Sequence, residues 1–292
     1  MQIKTISKNI EDKLTQWLLT IQDEDLRKKV QDNLLVSGGC ITSMLLNEPV
    51  NDYDIYLQDI DVLKGLVKYY IQPFDEIVLF DGREKQAIID RGDINIDQNN
   101  SLAISLRNLK EDQIKLYFSA AKGSLKVNTD MPESERNYTP MFFSPNAISL
   151  SNDLQIVIRF HGTPEQIHKT FDYIHATNYF TFKDGLVRNL EAMESILTKQ
   201  LKYQGSLYPV TSVIRSKKFI KRGWNIGAGE LLKIMFQISQ LNLTDPDILE
   251  EQLIGVDVAY FDKLISILRG VEDNISVSSA YLNAIIDRVF NN

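Results

Sequence analysis

The chain has 292 residues, 43% of them hydrophobic and 24% charged, with a net charge of −7 at neutral pH. This is the make-up of an ordinary soluble globular protein of one large or two smaller domains, long enough to bury its own core. Net acidity argues against a large general nucleic-acid surface and leaves room for a local basic patch. The one cysteine, Cys40, excludes an internal disulfide and fits a reducing, cytoplasmic setting. With only three histidines beside it, a structural zinc site is not expected. No stretch reaches 18 apolar residues, and the polar start MQIKTISKNIEDK has no signal-peptide core, so no membrane span is expected.

Residues 8–21 read as a helix, because Ile10, Leu14, Trp17, Leu18 and Ile21 recur on one face. A polar helix over 23–33 leads to Leu34–Ser37, a short buried strand. Gly38 and Gly39 follow at once, then an apolar helical stretch (Ile41, Met44, Leu45) broken by Asn47 and Pro49. Asp52-Tyr53-Asp54-Ile55-Tyr56-Leu57 then sets two carboxylates at i and i+2, the same face of a strand. Such a pair repels itself and is kept mainly when cations sit between, and Mg²⁺ favours a few carboxylates plus substrate phosphates. A Gly-Gly turn allows close backbone approach, and the helix it opens offers N–H groups to a phosphate. A phosphate cradle about a dozen residues before an Asp-x-Asp pair predicts nucleotidyl transfer.

Residues 61–70 read as a helix and 74–80 as a strand. Alternation in QAIID, SLAISL and KLYFSA predicts a β-rich insertion near 81–130, and 128–140 reads as a polar loop and candidate mobile segment. AISL and LQIVIRF read as paired strands around Ser151-Asn152-Asp153. Thr163, Pro164 and Gln166 mark a short helix start. Residues 171–174 read as a strand carrying Asp172, whereas Asp153 in a turn and Glu165 in a first helical turn have local explanations. From 186 onward the segments EAMESILTKQL, SVIRSKKFIKR, ELLKIMFQISQL, PDILEEQL, YFDKLISILRG and SSAYLNAIIDRVF all read as helices. The expected organisation is an α/β (α+β), mixed-sheet domain over 1–185 and a helical domain over 186–292.

The stretch 34–57 resembles the signature of the DNA polymerase beta-type nucleotidyltransferase superfamily, and within it the head motif of bacterial-type CCA-adding enzymes and poly(A) polymerases. Gly38-Gly39, Leu45-Leu46, Pro49-Val50, Asp52 and Asp54 match in register without a gap. Thr42-Ser43 stands where that family has Arg-Asp, Asn47 where it has Gly, and no Glu-Asp-x-x-Arg motif follows. The segment FDYIHATNYFTFKDG is similar to the family's Asp-Phe-Thr…Asn strand and hairpin, with Thr170-Phe171 in place of its Arg-Arg. Residues 160–225 also resemble several phage-encoded proteins of unknown role. The resemblance implies an enzyme, a Mg²⁺-dependent transferase of a nucleoside monophosphate from an NTP (ATP among them) to an acceptor hydroxyl, with release of pyrophosphate. Asp52, Asp54 and Asp172 would be its catalytic carboxylates and hold two Mg²⁺ ions. Ser37, Gly38, Gly39 and Ser43 would meet the phosphates. The acceptor it implies is an RNA or tRNA 3′ end; a protein or small molecule is the alternative, favoured by the acidic net charge.

Residues 215–222 hold five basic side chains and no acidic one. On a helix Arg215, Lys218 and Arg222 share a face, which is either solvated or a clamp for triphosphate or RNA backbone. His161, His168 and His175 lie seven apart on different elements and read as separate. Tyr203, Tyr208 and Trp224 read first as packing residues and second as stacking platforms for a base. Cys40 reads as a small packing residue.

Overall fold

The structure, a computed structural model, describes residues 2–71, 77–80, 85–87, 115–118, 125–126, 137–144, 146–243 and 245–252. The chain divides into two units, Met1–His168 with Ala176–Met193, and Lys169–His175 with Glu194–Asn292.

The first unit opens with α1 (Ile3–Leu18), which buries Ile6, Ile10, Leu14, Trp17 and Leu18. The helix begins earlier than the residue-8 start read from the sequence, because Ile6 continues the buried stripe one turn further back. The helix α2 (Glu24–Asn33) is capped by Asp23, whose side chain accepts from Leu26 N at 3.0 Å, and Glu24 and Asp25 complement its N-terminal dipole. It runs straight into β1 (Leu34–Ser37), all four residues of which are buried. Next come α3 (Gly39–Leu46), closed by Asn47 in the left-handed conformation, β2 (Tyr53–Leu57) and α4 (Ile60–Ile71).

Three strands, β3 (Ile77–Phe80), β4 (Lys85–Ala87) and β5 (Lys115–Phe118), form a separate antiparallel sheet in the order β4-β3-β5. Of the alternating segments expected between 81 and 130, SLAISL lies outside the described residues, as does most of the 128–140 loop. The remaining strands are β6 (Leu125–Lys126), β7 (Pro140–Phe143), β8 (Ala147–Leu150), β9 (Leu154–Val157), β10 (Tyr179–Thr181) and β11 (Gly185–Val187). With β1 and β2 they make one eight-stranded sheet in the order β11-β10-β1-β2-β9-β8-β7-β6. Only β2 and β9 pair in parallel, so the sheet is mixed and the fold α/β. The turn Ser151–Asp153 joins β8 to β9 as the sequence predicts. The helix α5 (Pro164–His168) starts with a reciprocal box: Thr163 N donates to Gln166 Oε1 at 2.8 Å, and Gln166 N donates to Thr163 Oγ1 at 3.4 Å.

One apolar cluster takes in α1, α3, α4 and the central strands. Its largest fully buried side chain is Trp17, whose Nε1 donates to Tyr70 Oη at 2.8 Å. Burial pushes the Tyr70 hydroxyl well above the usual phenol range.

The second unit contains β12 (Gln200–Leu201) paired in parallel with β13 (Asn225–Ile226), and three helices that follow the helix Leu190–Thr198 (α6): α7 (Pro209–Lys221), α8 (Ala228–Ile238) and α9 (Pro246–Gln252). Tyr173, His175, Tyr203, Phe219 and Trp224 pack ring against ring, with centroids 4.5–6.0 Å apart. The helices expected within 259–290 lie outside the described residues. No described helix is long and apolar enough to cross a membrane.

Tyr70→Phe strands the buried Trp17 N–H without an acceptor. We expect a loss of about 1–3 kcal/mol in urea unfolding of the whole chain, the cost of an unmade buried hydrogen bond. An unchanged midpoint would show that the pair adds nothing.

Candidate active site

The register of β1 against β2 sets Ser37 opposite Asp54 and Val36 opposite Ile55. Directly opposed residues share a face, so Ser37 and Asp54 lie on one side while Val36 and Ile55 enter the core. Asp52, two residues before Asp54, falls on the same side by alternation. On the far edge of β2, Gln155 of β9 is the partner of Asp54.

Gly38 is the junction. It stands at φ +99° and ψ −149°, a conformation open essentially to glycine alone. A methyl group there would stand 3.2 Å from Asp54 Oδ2. Its N–H donates to Ala176 O at 3.1 Å and is therefore spent on the protein. The other donors of this turn are those of α3, whose first N–H groups, from Gly39, Cys40 and Ile41, have no carbonyl partner inside the helix. At Gly39 an added methyl meets nothing within 4 Å. Ser43 lies a turn further along and is buried.

Ser37 does not offer its hydroxyl to solvent. It is fully buried, and its Oγ lies 2.9 Å from His168 Nε2, 2.9 Å from Asn178 O and 3.1 Å from Ala176 O. The carbonyls only accept, and in the Nε2–H tautomer His168 donates to Ser37 Oγ while the hydroxyl proton goes to one of them. His168 also packs against Tyr179, the residue opposite Ser37 on β10, at 5.6 Å between ring centroids. Burial pushes the His168 imidazole down to about 4, an effect the nearby Glu165 charge partly offsets, so it stays neutral at pH 7. This His–Ser contact spans 131 residues of sequence and carries no motif, which is why His168 reads in the sequence only as one of three scattered histidines.

Asp52 is exposed by surface area, yet its carboxyl is raised above the usual range, first by the protein crowding it and then by the charge of Asp153. Asp153 is the carboxylate that sequence reasoning passed over as a turn residue. Its carbonyl accepts from Tyr53 N at 2.8 Å, and it holds a left-handed φ of +56°. The signal that would have found it, the parallel pairing of β9 with β2, is long-range and absent from local pattern. Lys13 lies over the rings of Tyr53 and Tyr138, at 5.1 and 5.8 Å, with its ammonium depressed by burial and partly restored by Asp153. Cys40 is buried, and burial followed by the charge of Asp54 raises its thiol far above the usual range, as suits a packing residue and not a nucleophile.

Asp172 belongs to the second unit, and the strand expected over 171–174 does not form. Tyr173 makes one isolated bridge to Tyr203, and the chain coils into a 3₁₀ turn at Ile174–Ala176, because Tyr173 and His175 are both drawn into the aromatic cluster. The Asp172 carboxylate pairs with Arg215 at 3.1 Å, and a role as metal ligand would compete with that ion pair. Lys218 and Arg222 are exposed on α7 and its end, the latter over the Phe219 ring at 5.7 Å. Trp224 and Tyr203 are buried in the cluster. Among the described residues no three His, Cys, Asp or Glu side chains gather as a metal-ligand set. Asp52 and Asp54 are the pair that suits a divalent cation: hard oxygen donors on one face, with Asp52 carrying a repulsion from Asp153 that a cation would relieve.

A carboxylate pair beside a glycine turn and a helix N-terminus, on a mixed sheet, is an arrangement with the donors to hold a divalent cation near an anion. The family model described as "Gabija anti-defense 2 family protein" matches residues 8–199, more than half of the chain, and the chain belongs to that family. No curated protein matches the sequence. Among solved structures it is similar to the Thermotoga maritima CCA-adding enzyme complexed with tRNA, at 12% identity and TM-score 0.38, covering 88% of this chain and 54% of that one. It is likewise similar to the Bacillus stearothermophilus CCA-adding enzyme in complex with CTP, at 11% identity and TM-score 0.38, covering 94% and 53%. The chain thus spans about half the length of these two structures.

Two outcomes are expected of this site. Gly38→Ala should cost about 1–3 kcal/mol in chemical unfolding, from a backbone region closed to alanine, whereas Gly39→Ala should be neutral or stabilise by up to about 1 kcal/mol. Equal effects at the two glycines would refute the junction. The second outcome concerns acid. A histidine whose folded pKa lies below its ordinary value of 6.5 contributes stability that is present above that value and lost as pH falls toward about 4. His168→Gln keeps a donor for Ser37 and removes the titration, so the fall in Tm between those pH values should be shallower in the variant. Parallel Tm curves would assign the acid loss to other groups.

Proposed function

We propose that this protein transfers a nucleoside monophosphate from an NTP to an acceptor hydroxyl, with Asp52 and Asp54 holding the divalent cation that accompanies the triphosphate. The observation that carries the reading is the approach of Asp54 Oδ2 to the Gly38 turn, which joins a cation-binding carboxylate to a helix N-terminus able to receive phosphate oxygens. Bound to the two aspartates, Mg²⁺ would neutralise the triphosphate and favour ionisation of the acceptor hydroxyl. In the transfer the acceptor oxygen bonds to the α-phosphorus, the α–β bridging bond breaks, pyrophosphate leaves and the hydroxyl proton passes to solvent. The first-turn N–H groups of α3 orient the phosphates. Gly38 keeps Asp54 and the helix end adjacent, and His168 fixes Ser37 behind them. The in-register Gly-Gly and Asp-x-Asp motif supports the same reaction class. We read the transfer as the chemistry behind the anti-defence description of the family, with an RNA 3′ end as the acceptor. A protein acceptor is the alternative the same assay resolves.

The test is incubation of the full chain with α-labelled NTPs, Mg²⁺, and either total RNA or lysate protein. Label should enter RNA and fall by at least about 100-fold in Asp52→Asn and in Asp54→Asn, the loss of several kcal/mol of charge stabilisation. Label in protein would replace the acceptor and keep the reaction. No label in either pool with any NTP would overturn the reading.

A further inference from the structure

We propose that the second unit carries a docking surface for the phosphodiester backbone of a nucleic acid, built on α7 and its C-terminal end. Binding there is separate from the transfer reaction and does not rest on it. The first observation is one of charge. Residues 195–229 hold seven of the chain's 32 basic residues and none of its 39 acidic ones, in a protein whose net charge is −7. Arg215 is matched with Asp172 at 3.1 Å and Lys202 with Glu194 at 2.7 Å. No carboxylate pairs with Lys217, Lys218 or Lys221 among the described residues, and all three are exposed.

The second observation is one of geometry. At about 100° per residue, Lys217, Lys221, Lys218 and Arg222 follow one another across an arc of about 140°. The opposite side is anchored. Ser212 and Ser216 are buried, Tyr173 Oη donates to Ser212 O at 2.9 Å, and Phe219 packs against His175 at 4.5 Å. Lys199 Nζ donates to Arg222 O at 3.5 Å, which adds a fifth cation at the helix end. The arc is therefore held outward by the fold. It is also self-repelling, since Lys217 with Lys221 and Lys218 with Arg222 are like charges four apart. The C-terminal helix dipole accounts for a cation or two in the last turn, but not for an arc of four without one acid. A row of anions removes the repulsion.

The composition selects the partner. Protein–protein interfaces are depleted in lysine, whereas lysine and arginine supply the contacts to nucleic-acid phosphates that position a protein without reading sequence.

The experiment is fluorescence anisotropy of the full chain, in EDTA and without NTP, against labelled single-stranded RNA, single-stranded DNA and the corresponding duplexes across a salt series. Binding to one or more of these should weaken with salt at a log–log slope of roughly −2 to −4. The variant carrying Lys217→Gln, Lys218→Gln and Lys221→Gln should flatten that slope by about 2–3, with Tm unchanged or raised. RNA-only, DNA-only or common binding identifies the nucleic acid, and each supports the surface. Four results would overturn it: no binding at the lowest salt, an unchanged slope in the variant, competition by poly-glutamate as effective as by nucleic acid, or displacement by ATP. The third of these would mark a protein-binding face and the fourth a triphosphate clamp. Because neither nucleotide nor metal is present, an inactive protein that binds still supports the surface, and an active one that does not bind still refutes it.

Discussion

The contact between Gly38 and Asp54 is the constraint on which the rest of the first unit turns. The pairing of Ser37 with Asp54 brings the end of β1 beside the start of β2, and the chain must then leave the sheet and enter α3 within one residue. A glycine makes that exit at φ +99° without strain, and a side chain there would crowd the Asp54 carboxylate, its Cβ standing 3.2 Å from Oδ2. The residue is thus chosen twice, by backbone conformation and by space. Together these two demands fix the distance between a negative group and the positive end of a helix.

The groups around this contact divide into those that hold it and those that leave it charged. Ser37, buried under His168 and two carbonyls, belongs to the first kind. A hydroxyl so enclosed anchors the end of β1 to the chain around residues 168–179, which lies far away in sequence. Asp52 belongs to the second kind, its ionisation opposed by crowding and by Asp153. The repulsion between Asp52 and Asp153 gains nothing for the fold by itself, and under the proposed function a cation held by Asp52 and Asp54 would relieve it.

The elements were legible where local pattern and burial agree. The stripe of α1, the strand of four apolar or small residues and the hairpin at 151–153 are each decided by neighbours a few residues apart. The glycine turn at Gly38 and the strand that follows Asp52 were legible as local structure, while the chemistry read from their spacing stands as the proposal above. Asp153 and His168 were not, since the reason for each is a partner more than 90 residues distant. The strand expected at Asp172 misled for a related reason. Alternation of Tyr173 and His175 looks like a strand face, but aromatic packing in the second unit holds both side chains through a 3₁₀ turn instead. The roles given to Ser37 and to the Gly38 N–H were chemically sensible for those groups, and the structure shows both engaged with the protein.

The order of strands in the large sheet has a consequence for the nascent chain. β1, near residue 36, has β2 on one side and β10, near residue 180, on the other. While the ribosome has delivered only the first 150 or so residues, one flank of β1, a strand whose side chains are all buried in the finished fold, is an open row of amide and carbonyl groups. Such a flank pairs readily with any other extended chain, and contacts this distant in sequence close late. The sheet is sealed only when Tyr179–Thr181 arrives, so a message truncated before that point would yield a sticky fragment and not a smaller working protein. The closing of the sheet therefore waits on Tyr179–Thr181, more than a hundred residues beyond the strand they cover.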